Sequence, residues 1–335
     1  MSSIRMGIIG CGNFMSMGHI GNLLAMPEVE IVGLADTEIG SIQRTKERYP
    51  QLENIAVFSD HDTLLSQAKP DAVEIATPHS FHAQHIQDAF AAGCHVLVEK
   101  PLVISSVEAE AVLAKRDAAG KVLVVSYQRR YTPQFRYVRD AVQSGALGEL
   151  QFVAAVLSQG WLEFTDSTWR QTPEISGGGM LLDTGSHLLD FLLYSTGLEI
   201  ARLKAYSRNL GSPVDINSTI AIEFKSGCLG SLSVVGHASR SVVEDLDFFG
   251  SKGALSLESN WSSKGSKARI RQEIYGEGDV DTSNLPAEST PDANFVDAIL
   301  GRAEVASPGE AGLNVVRLTE AIHRSIEEGV EVELA

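Results

Sequence analysis

Apolar residues in the first third of the chain gather into short runs, with helical spacing between them. Residues 6–10 (Met-Gly-Ile-Ile-Gly) read as a buried strand, and Ile20, Leu23 and Leu24 mark the helix behind it. A second strand, Glu30–Ala35, ends at Asp36. Ile55–Phe58, Asp71–Ala76, His95–Val98 and Val122–Val125 read as further strands. Asp60 and Asp62 stand near a helix start. Phe81–Ala92 and Ser105–Ala119 read as helices, closed by Gly93 and Gly120, the residue type that tolerates the left-handed turn past a helix end. Strands alternating with helices predict a doubly wound parallel sheet of the α/β class.

The pattern changes after the amphipathic stretch 134–144, which ends at Gly145. Residues 149–158, 201–207, 218–225, 229–237, 243–249 and 254–258 alternate as strands, with turns at Ser226-Gly227 and Ser251-Lys252-Gly253. Short turns force antiparallel neighbours. The expectation is an α+β C-terminal domain with a large, mostly antiparallel, open-faced sheet. The division falls at 1–125 and 126–335, and the last helix, about 313–328, is a candidate to pack back on the first domain. An apolar sheet face seldom stays bare, so a homodimer or homotetramer through this sheet is expected.

Composition narrows the function classes. The chain has 335 residues, long enough that two cores are expected. A formal net charge of -16 repels phosphate backbones and disfavours nucleic acid as a partner. Cys11, Cys94 and Cys228 lie far apart with no CxxC, which fits a reduced compartment. No apolar run is long enough for a bilayer, and Met-Ser-Ser-Ile-Arg leads straight into a strand, so no signal peptide and a cytoplasmic location are expected.

Candidate chemistry begins at Gly10-Cys11-Gly12-Asn13-Phe14-Met15. A strand, glycine turn, helix, second strand and terminal acid form the layout of a dinucleotide-binding unit. Gly10 permits the tight turn, and Gly12 lets a pyrophosphate approach the helix N-terminus, where free N–H groups favour anions. Asp36 suits the ribose hydroxyls, and Asp36 with Glu38 would repel a 2′-phosphate, so NAD is favoured over NADP. Arg44 is the counter-argument, but it lies within the next helix. The fingerprint departs at its third glycine position, which holds Met15, while Gly18 comes three residues late. Either the turn is one residue longer than usual or the helix stands further from the strand.

Ligands in doubly wound sheets sit beyond the C-terminal strand ends. Thr77, Pro78, His79, His82, Glu99, Lys100 and Tyr127 occupy that rim. Lys100 follows a buried strand and precedes Pro101, an unusual place for a solvated lysine, and a cleft lysine can stabilise a developing alkoxide. In the second half, Ser176–Gly179 feeds an apolar run carrying Asp183, His187 and Asp190. On a helix these three share a face. The stripe is then either a water-facing surface or a proton-transfer unit built on His187.

The segments Thr77-Pro78-His79-Ser80-Phe81-His82 and Ala92–Pro101, which ends in Glu99-Lys100-Pro101, resemble the glucose–fructose oxidoreductase / inositol dehydrogenase (Gfo/Idh/MocA) family. So do Trp169-Arg170, the glycine run with Asp183, His187 and Asp190, the Gly250–Gly253 turn and the segments 295–299 and 312–326. His79 stands where that family has asparagine. The resemblance spans nearly the whole chain. It implies a Rossmann domain followed by a mostly antiparallel domain, commonly oligomeric, acting on sugars, cyclitols or their derivatives.

The family's catalytic positions fall on Lys100, Asp183 and His187. By chemistry, His187 is the base, Asp183 orients it or the substrate, and Lys100 stabilises charge on the reacting oxygen. The implied NAD contacts are Gly10, Gly12, Asn13, Phe14, Met15, Asp36, Thr77, Pro78, His79, His82, Glu99 and Lys100. Tyr127, Arg129, Trp169 and Arg170 are the further substrate-binding candidates, alongside Asp183 and His187. The expected reaction is oxidation of a secondary hydroxyl to the ketone, or its reverse. A lyase or glycosidase using NAD in transient redox is the alternative, and a sugar- or cofactor-sensing protein the third. A metal is not expected. Zinc at Asp183/His187/Asp190 lacks a thiolate or further imidazoles, and His79, His82 and His85 read as cofactor-side or solvent-facing residues.

Overall fold

The computed structural model describes residues 3–238, 241–262, 265–274, 280 and 282–334. The chain forms two compact units, Met1–Gln128 with Ser289–Leu313, and Arg129–Glu288 with Asn314–Ala335. The division lies just beyond the expected 125/126. The stretch that returns to the first unit is 289–313, and most of the last helix belongs to the second.

In the first unit, strands β1 (Ile4–Ile9), β2 (Val29–Ala35), β3 (Val57–Phe58), β4 (Ala72–Ile75), β5 (His95–Val98) and β6 (Leu123–Val125) form one sheet. Its order is β3-β2-β1-β4-β5-β6, and every neighbouring pair is parallel. This is the order of a Rossmann sheet, with its switch point between β1 and β4. Parallel strands covered on both faces are apolar nearly throughout, and β4 is buried at every position, Glu74 included. The expected strand 55–58 is shorter, because only Val57 and Phe58 pair with β2.

Helices α1 (Ile20–Leu24), α2 (Ile39–Arg48), α3 (His61–Ala68), α4 (His82–Ala91) and α5 (Ser106–Ala119) connect the strands. Their ends follow sequence chemistry. Asp60 accepts the Thr63 N–H at 2.7 Å and Ser105 that of Glu108 at 3.3 Å, each relieving an unpaired donor at a helix start. Gly120 takes the left-handed conformation beyond α5, with φ of 60°. Met6, Ile8, Met15, Leu34 and Leu97 pack with Phe295 and Val296 in one apolar cluster.

The second unit contains β7 (Leu150–Ser158), β8 (Ile200–Arg208), β9 (Asn217–Phe224), β10 (Leu229–Val235), β11 (Val242–Gly250), β12 (Ala254–Ser262), β13 (Gly265–Glu273) and β14 (Val332–Glu333). Their order is β13-β12-β11-β7-β10-β9-β8-β14. All pairs are antiparallel except β7 with β10. β13 and β14 lie outside the strands expected from pattern. Side-chain alternation makes one face the core. Phe248, Val153 and Ile222 point inward, while Phe249, Phe152 and Leu229 point outward in register.

Helices α6 (Pro133–Gln143), α7 (Trp161–Phe164), α8 (Pro173–Ser176) and α9 (Gly185–Thr196) precede most of these strands. Phe135 of α6 meets Phe191 of α9 edge to face, centroids 4.8 Å apart. The chain then forms α10 (Pro291–Ile299) in the first unit. α11 (Gly309–Glu328) starts in the first unit and continues in the second.

Two adjacent arginines anchor the inner side of the second unit. Arg130 Nε and Nη2 donate to Asp190, the shortest contact being 2.7 Å. Arg129 donates to Glu244 at 2.9 Å and lies over the Trp261 ring. Burial pushes the Asp190 carboxyl above its usual range despite the opposing pull of Arg130. Truncating one member of such a pair strands the other charge. Asp190→Ala is therefore expected to destabilise the protein by about 3–5 kcal/mol in denaturant titration, and a loss below about 1 kcal/mol would show that the pair is not a structural anchor.

Candidate active site

The glycine turn of the first unit is held by its own chain. Asp36, at the end of β2, accepts the Cys11 N–H at 2.7 Å and the Glu38 N–H at 2.8 Å. Gly10 has φ of +88°, and a Cβ there would stand 2.7 Å from the Ala76 carbonyl oxygen. Gly12 is different: a Cβ on it would meet nothing within 4 Å. The space above Gly12 is the kind of cradle a pyrophosphate requires. Phe14 is exposed at the same turn, and Ile39 is exposed beyond Asp36.

The displaced third glycine has a structural explanation. The helix behind the turn opens with a π-helical turn, Met15–His19, which absorbs the extra residue inside the helix. Met15 is fully buried where the fingerprint has glycine, and a Cβ on Gly18 would again meet nothing. Gly18 is thus not the packing glycine of the fingerprint.

At the ends of β4 and β5, polar groups are buried and mutually paired. His82 is fully buried, with ring nitrogens 2.8 Å from the Pro101 carbonyl and 2.9 Å from that of Thr77. Burial pushes its pKa down, although two carbonyl acceptors favour the charged ring. His82 therefore ties two strand-end loops together. Thr77 meets His85 at 3.0 Å. His79 is buried, and Tyr127 is fully enclosed. The Lys100–Pro101 bond is cis.

A second buried group was not foreseen. His19 lies 2.8 Å from Asp292 through Nδ1 and 2.9 Å from Glu99 through Nε2, with Glu74 at 3.6 Å. Burial lowers the His19 pKa, but the surrounding carboxylates outweigh it and hold the ring well above its usual range. Burial, then the neighbouring Asp292, holds Glu74 protonated well above its usual range. Glu99 is kept low: burial opposes ionisation, but the His19 bond and charge prevail. The sequence signal was faint, being one histidine at the helix start and one glutamate inside an apolar strand.

In the second unit, Asp183 sits in the turn before α9 rather than on the helix itself, a correction to the shared-face expectation. Its N–H bonds the Gly179 carbonyl at 3.0 Å. Trp161 Nε1 and Arg170 Nε donate to Asp183 Oδ2 at 2.8 and 3.0 Å. His187 is buried within the first turn of α9. The Arg170 guanidinium also lies 4.3 Å over the Trp169 ring. Trp161 is a site neighbour that pattern reasoning missed. Arg129, an expected substrate contact, instead makes the Glu244 pair and is corrected to a core residue. Asp190 likewise turns inward to Arg130.

Asp215 shapes the glycine run. Its side chain accepts from the Gly179 and Leu181 N–H groups at 2.9 and 2.8 Å, and its carbonyl from Met180 at 2.9 Å. A Cβ on Gly179 would stand 2.1 Å from that carbonyl oxygen, so glycine is required there.

Among the described residues, two groups have donor atoms close enough to hold a cation, His19/Glu74/Asp292 and His61/Asp62/Asp88. In the first, both ring nitrogens face carboxylates as donors, which leaves no lone pair for a metal. The second sits at the surface, with Asp62 exposed. A depression of about 920 Å³ lined by Ile4, Asp71, His95 and Lys121 lies at the opposite, N-terminal edge of the sheet, away from the strand ends that carry this chemistry. All three cysteines are buried thiols, and burial raises each pKa, so none is an activated nucleophile. Among the described residues no helix is long and apolar enough to cross a membrane.

A six-stranded Rossmann sheet with this glycine turn is a dinucleotide-binding fold. Residues 4–127 match the family model described as an oxidoreductase family with an NAD-binding Rossmann fold, and residues 135–256 match the GFO/IDH/MocA C-terminal domain. The chain belongs to the Gfo/Idh/MocA family of oxidoreductases, with NAD as its cofactor. It is 26% identical to D-glucoside 3-dehydrogenase of Escherichia coli over 99% of this chain and 98% of that protein. It is 24% identical to myo-inositol 2-dehydrogenase of Thermotoga maritima over 75% of this chain and 74% of that one. The fold matches WlbA dehydrogenase of Bordetella pertussis, solved with NADH and UDP-GlcNAcA, with TM-score 0.85 at 24% identity over 99% of each chain.

The raised groups make stability pH-dependent. A proton held by His19 in the folded state stabilises fully below the ordinary imidazole range and is lost as pH rises through the raised value. Glu74 acts in the same sense, starting from the carboxylate range. Glu74→Gln puts a neutral amide of the same shape in place of the carboxyl and removes that contribution. As pH rises from the ordinary carboxylate range through the raised value, its unfolding free energy should fall less steeply than the wild type's. Parallel curves in denaturant titration would show that Glu74 does not hold the proton.

Proposed function

We propose that the protein is an NAD-dependent dehydrogenase that oxidises a secondary hydroxyl of a sugar, a cyclitol or a sugar derivative to the ketone, or catalyses the reverse reduction. The observation that carries this reading is the fixed Asp183 carboxylate. Two donors from separate segments, Trp161 and Arg170, orient it four residues before His187. A carboxylate and a histidine so placed suit proton transfer to and from a hydroxyl group. The glucoside and myo-inositol named for two relatives are polyhydroxylated rings, which agrees with this substrate class.

NAD, when bound, accepts the hydride at its nicotinamide C4. Gly10, Gly12, Asn13, Phe14 and Met15 would hold its phosphates and Asp36 its ribose, with Thr77, Pro78, His79, Glu99 and Lys100 toward the nicotinamide. His187 takes the hydroxyl proton and returns it in reduction. Asp183 orients His187 or the substrate. The Lys100 ammonium donates to the reacting oxygen and stabilises its negative charge. Trp169 with Arg170 offers a flat face and a cation to a sugar ring.

The outer face of the sheet supports a reading of assembly. Leu229, Phe152 and Phe249 form a cross-strand row on its outer face, each exposed, with Val156 nearby. A second copy covering this row would make a homodimer or homotetramer. Phe249→Glu should then shift the mass seen by light scattering toward monomer. A wild-type monomer, or an unchanged oligomer in the variant, would remove the sheet face from the interface.

The function is tested with a panel of sugars and cyclitols, with NAD and NADP, followed by absorbance of the reduced cofactor. Lys100→Met and His187→Ala should each lower kcat by about 100-fold or more, with NAD affinity retained. Full activity in either variant would remove that residue from the chemistry. Sugar conversion without net NADH would point instead to transient redox.

A further inference from the structure

His19, at the start of the cofactor helix, is buried between the Lys100 strand end and the returning segment. It closes the π-turn that follows the glycine loop. Nδ1 meets Asp292, whose other oxygen accepts from Asn22 at 2.9 Å. Nε2 meets Glu99 Oε1, which also accepts from Gln128 at 3.1 Å. The second Glu99 oxygen accepts the backbone N–H of Lys100 at 3.2 Å. The histidine and both carboxylates are almost wholly buried. Low local dielectric makes each of these bonds strong and each unmade bond costly.

We infer that His19 is a positioning residue for the reaction: it clamps the Glu99 carboxylate, which fixes the backbone at Lys100 and so the direction in which the lysine is presented. The inference rests on the proposed role of Lys100. The chain of contacts is short, running from His19 Nε2 through the Glu99 carboxylate to the Lys100 amide. The groups facing His19 are Glu74 on β4, Glu99 beyond β5 and Asp292 on α10, with Asn22 on its own helix. The Asp292 contact anchors the other side of the ring, so that His19 cannot swing away from Glu99.

The two ring nitrogens can be separated by substitution. The asparagine amide nitrogen lies as many bonds from the backbone as Nδ1, and the glutamine amide nitrogen as many as Nε2. His19→Gln thus retains the bond to Glu99, and His19→Asn retains only that to Asp292. Both are also made with Asp292→Asn, which removes one buried negative charge along with the positive one and protects folding. Misplacement of a reacting group by about 1 Å costs about 100-fold. His19→Asn is therefore expected to lower kcat at least about 10-fold and raise the primary deuterium isotope effect. His19→Gln should stay within about 3-fold, with NAD affinity and Tm alike in the two.

The readout independent of turnover is the Lys100 amide resonance in protein labelled with ¹⁵N-lysine, assigned by its loss in Lys100→Met. It should move in His19→Asn and stay in His19→Gln. Equal kcat losses that follow Tm, or wild-type kcat in both, would overturn the positioning role. So would a Lys100 amide that moves in neither variant. If no sugar or cyclitol is oxidised by the wild type, the proposed activity fails, and the amide shift alone still decides whether His19 positions Lys100.

Discussion

A parallel sheet buries the ends of its strands beside the very place where a ligand must bind, so polar groups there have to satisfy one another. The first unit meets this constraint three times. Asp36 accepts two backbone N–H groups around the glycine turn. His82 bridges two strand-end carbonyls. His19 bridges two carboxylates from distant parts of the chain. Each bridge binds loops that have no regular structure of their own, and a half-made bridge would leave a buried polar group at a cost of about 1–3 kcal/mol. The rigidity needed to present a phosphate cradle and a lysine thus comes from the same bonds that make burial tolerable.

The second unit solves a related problem with pairs. Arg130 neutralises Asp190, and Arg129 neutralises Glu244 on the inner face of a largely apolar sheet. Asp183 is treated differently, receiving a tryptophan N–H and an arginine Nε at one oxygen. A carboxylate held in this way keeps a fixed orientation although it is buried. Asp215 fixes the glycine run that leads into Asp183 through three backbone bonds. The glycines are therefore explained first by the close approach of Asp215 and only afterwards by any ligand.

Much of the architecture was legible from pattern. Buried strands such as 95–98 and capped helices such as Ser106–Ala119 announce themselves through apolar runs, Ser105 and Gly120. The Lys100 strand end was visible because a lysine after an apolar run is rare. Less legible were the groups whose meaning depends on partners far along the chain. Arg129 read as a substrate contact because it follows Tyr127, and Asp190 as part of a stripe that either faces water or joins His187, while burial against Glu244 and Arg130 is a tertiary fact. His19 and Asp292 are 273 residues apart, and nothing local joins them. The late Gly18 suggested a longer turn or a helix set further from the strand, whereas the extra residue is accommodated by widening one helical turn.

The position of β7 carries a consequence for how the second unit assembles. β8, β9 and β10 form one meander of sequential neighbours, and β11, β12 and β13 form another. Each can zip locally, with little loop entropy to overcome. The two meanders never hydrogen-bond to each other, because β7, made earlier in the sequence, is wedged between them, parallel to β10 and antiparallel to β11. That single strand is the keystone of an arch whose two limbs are otherwise separate, and the continuous sheet exists only once it has been set in place.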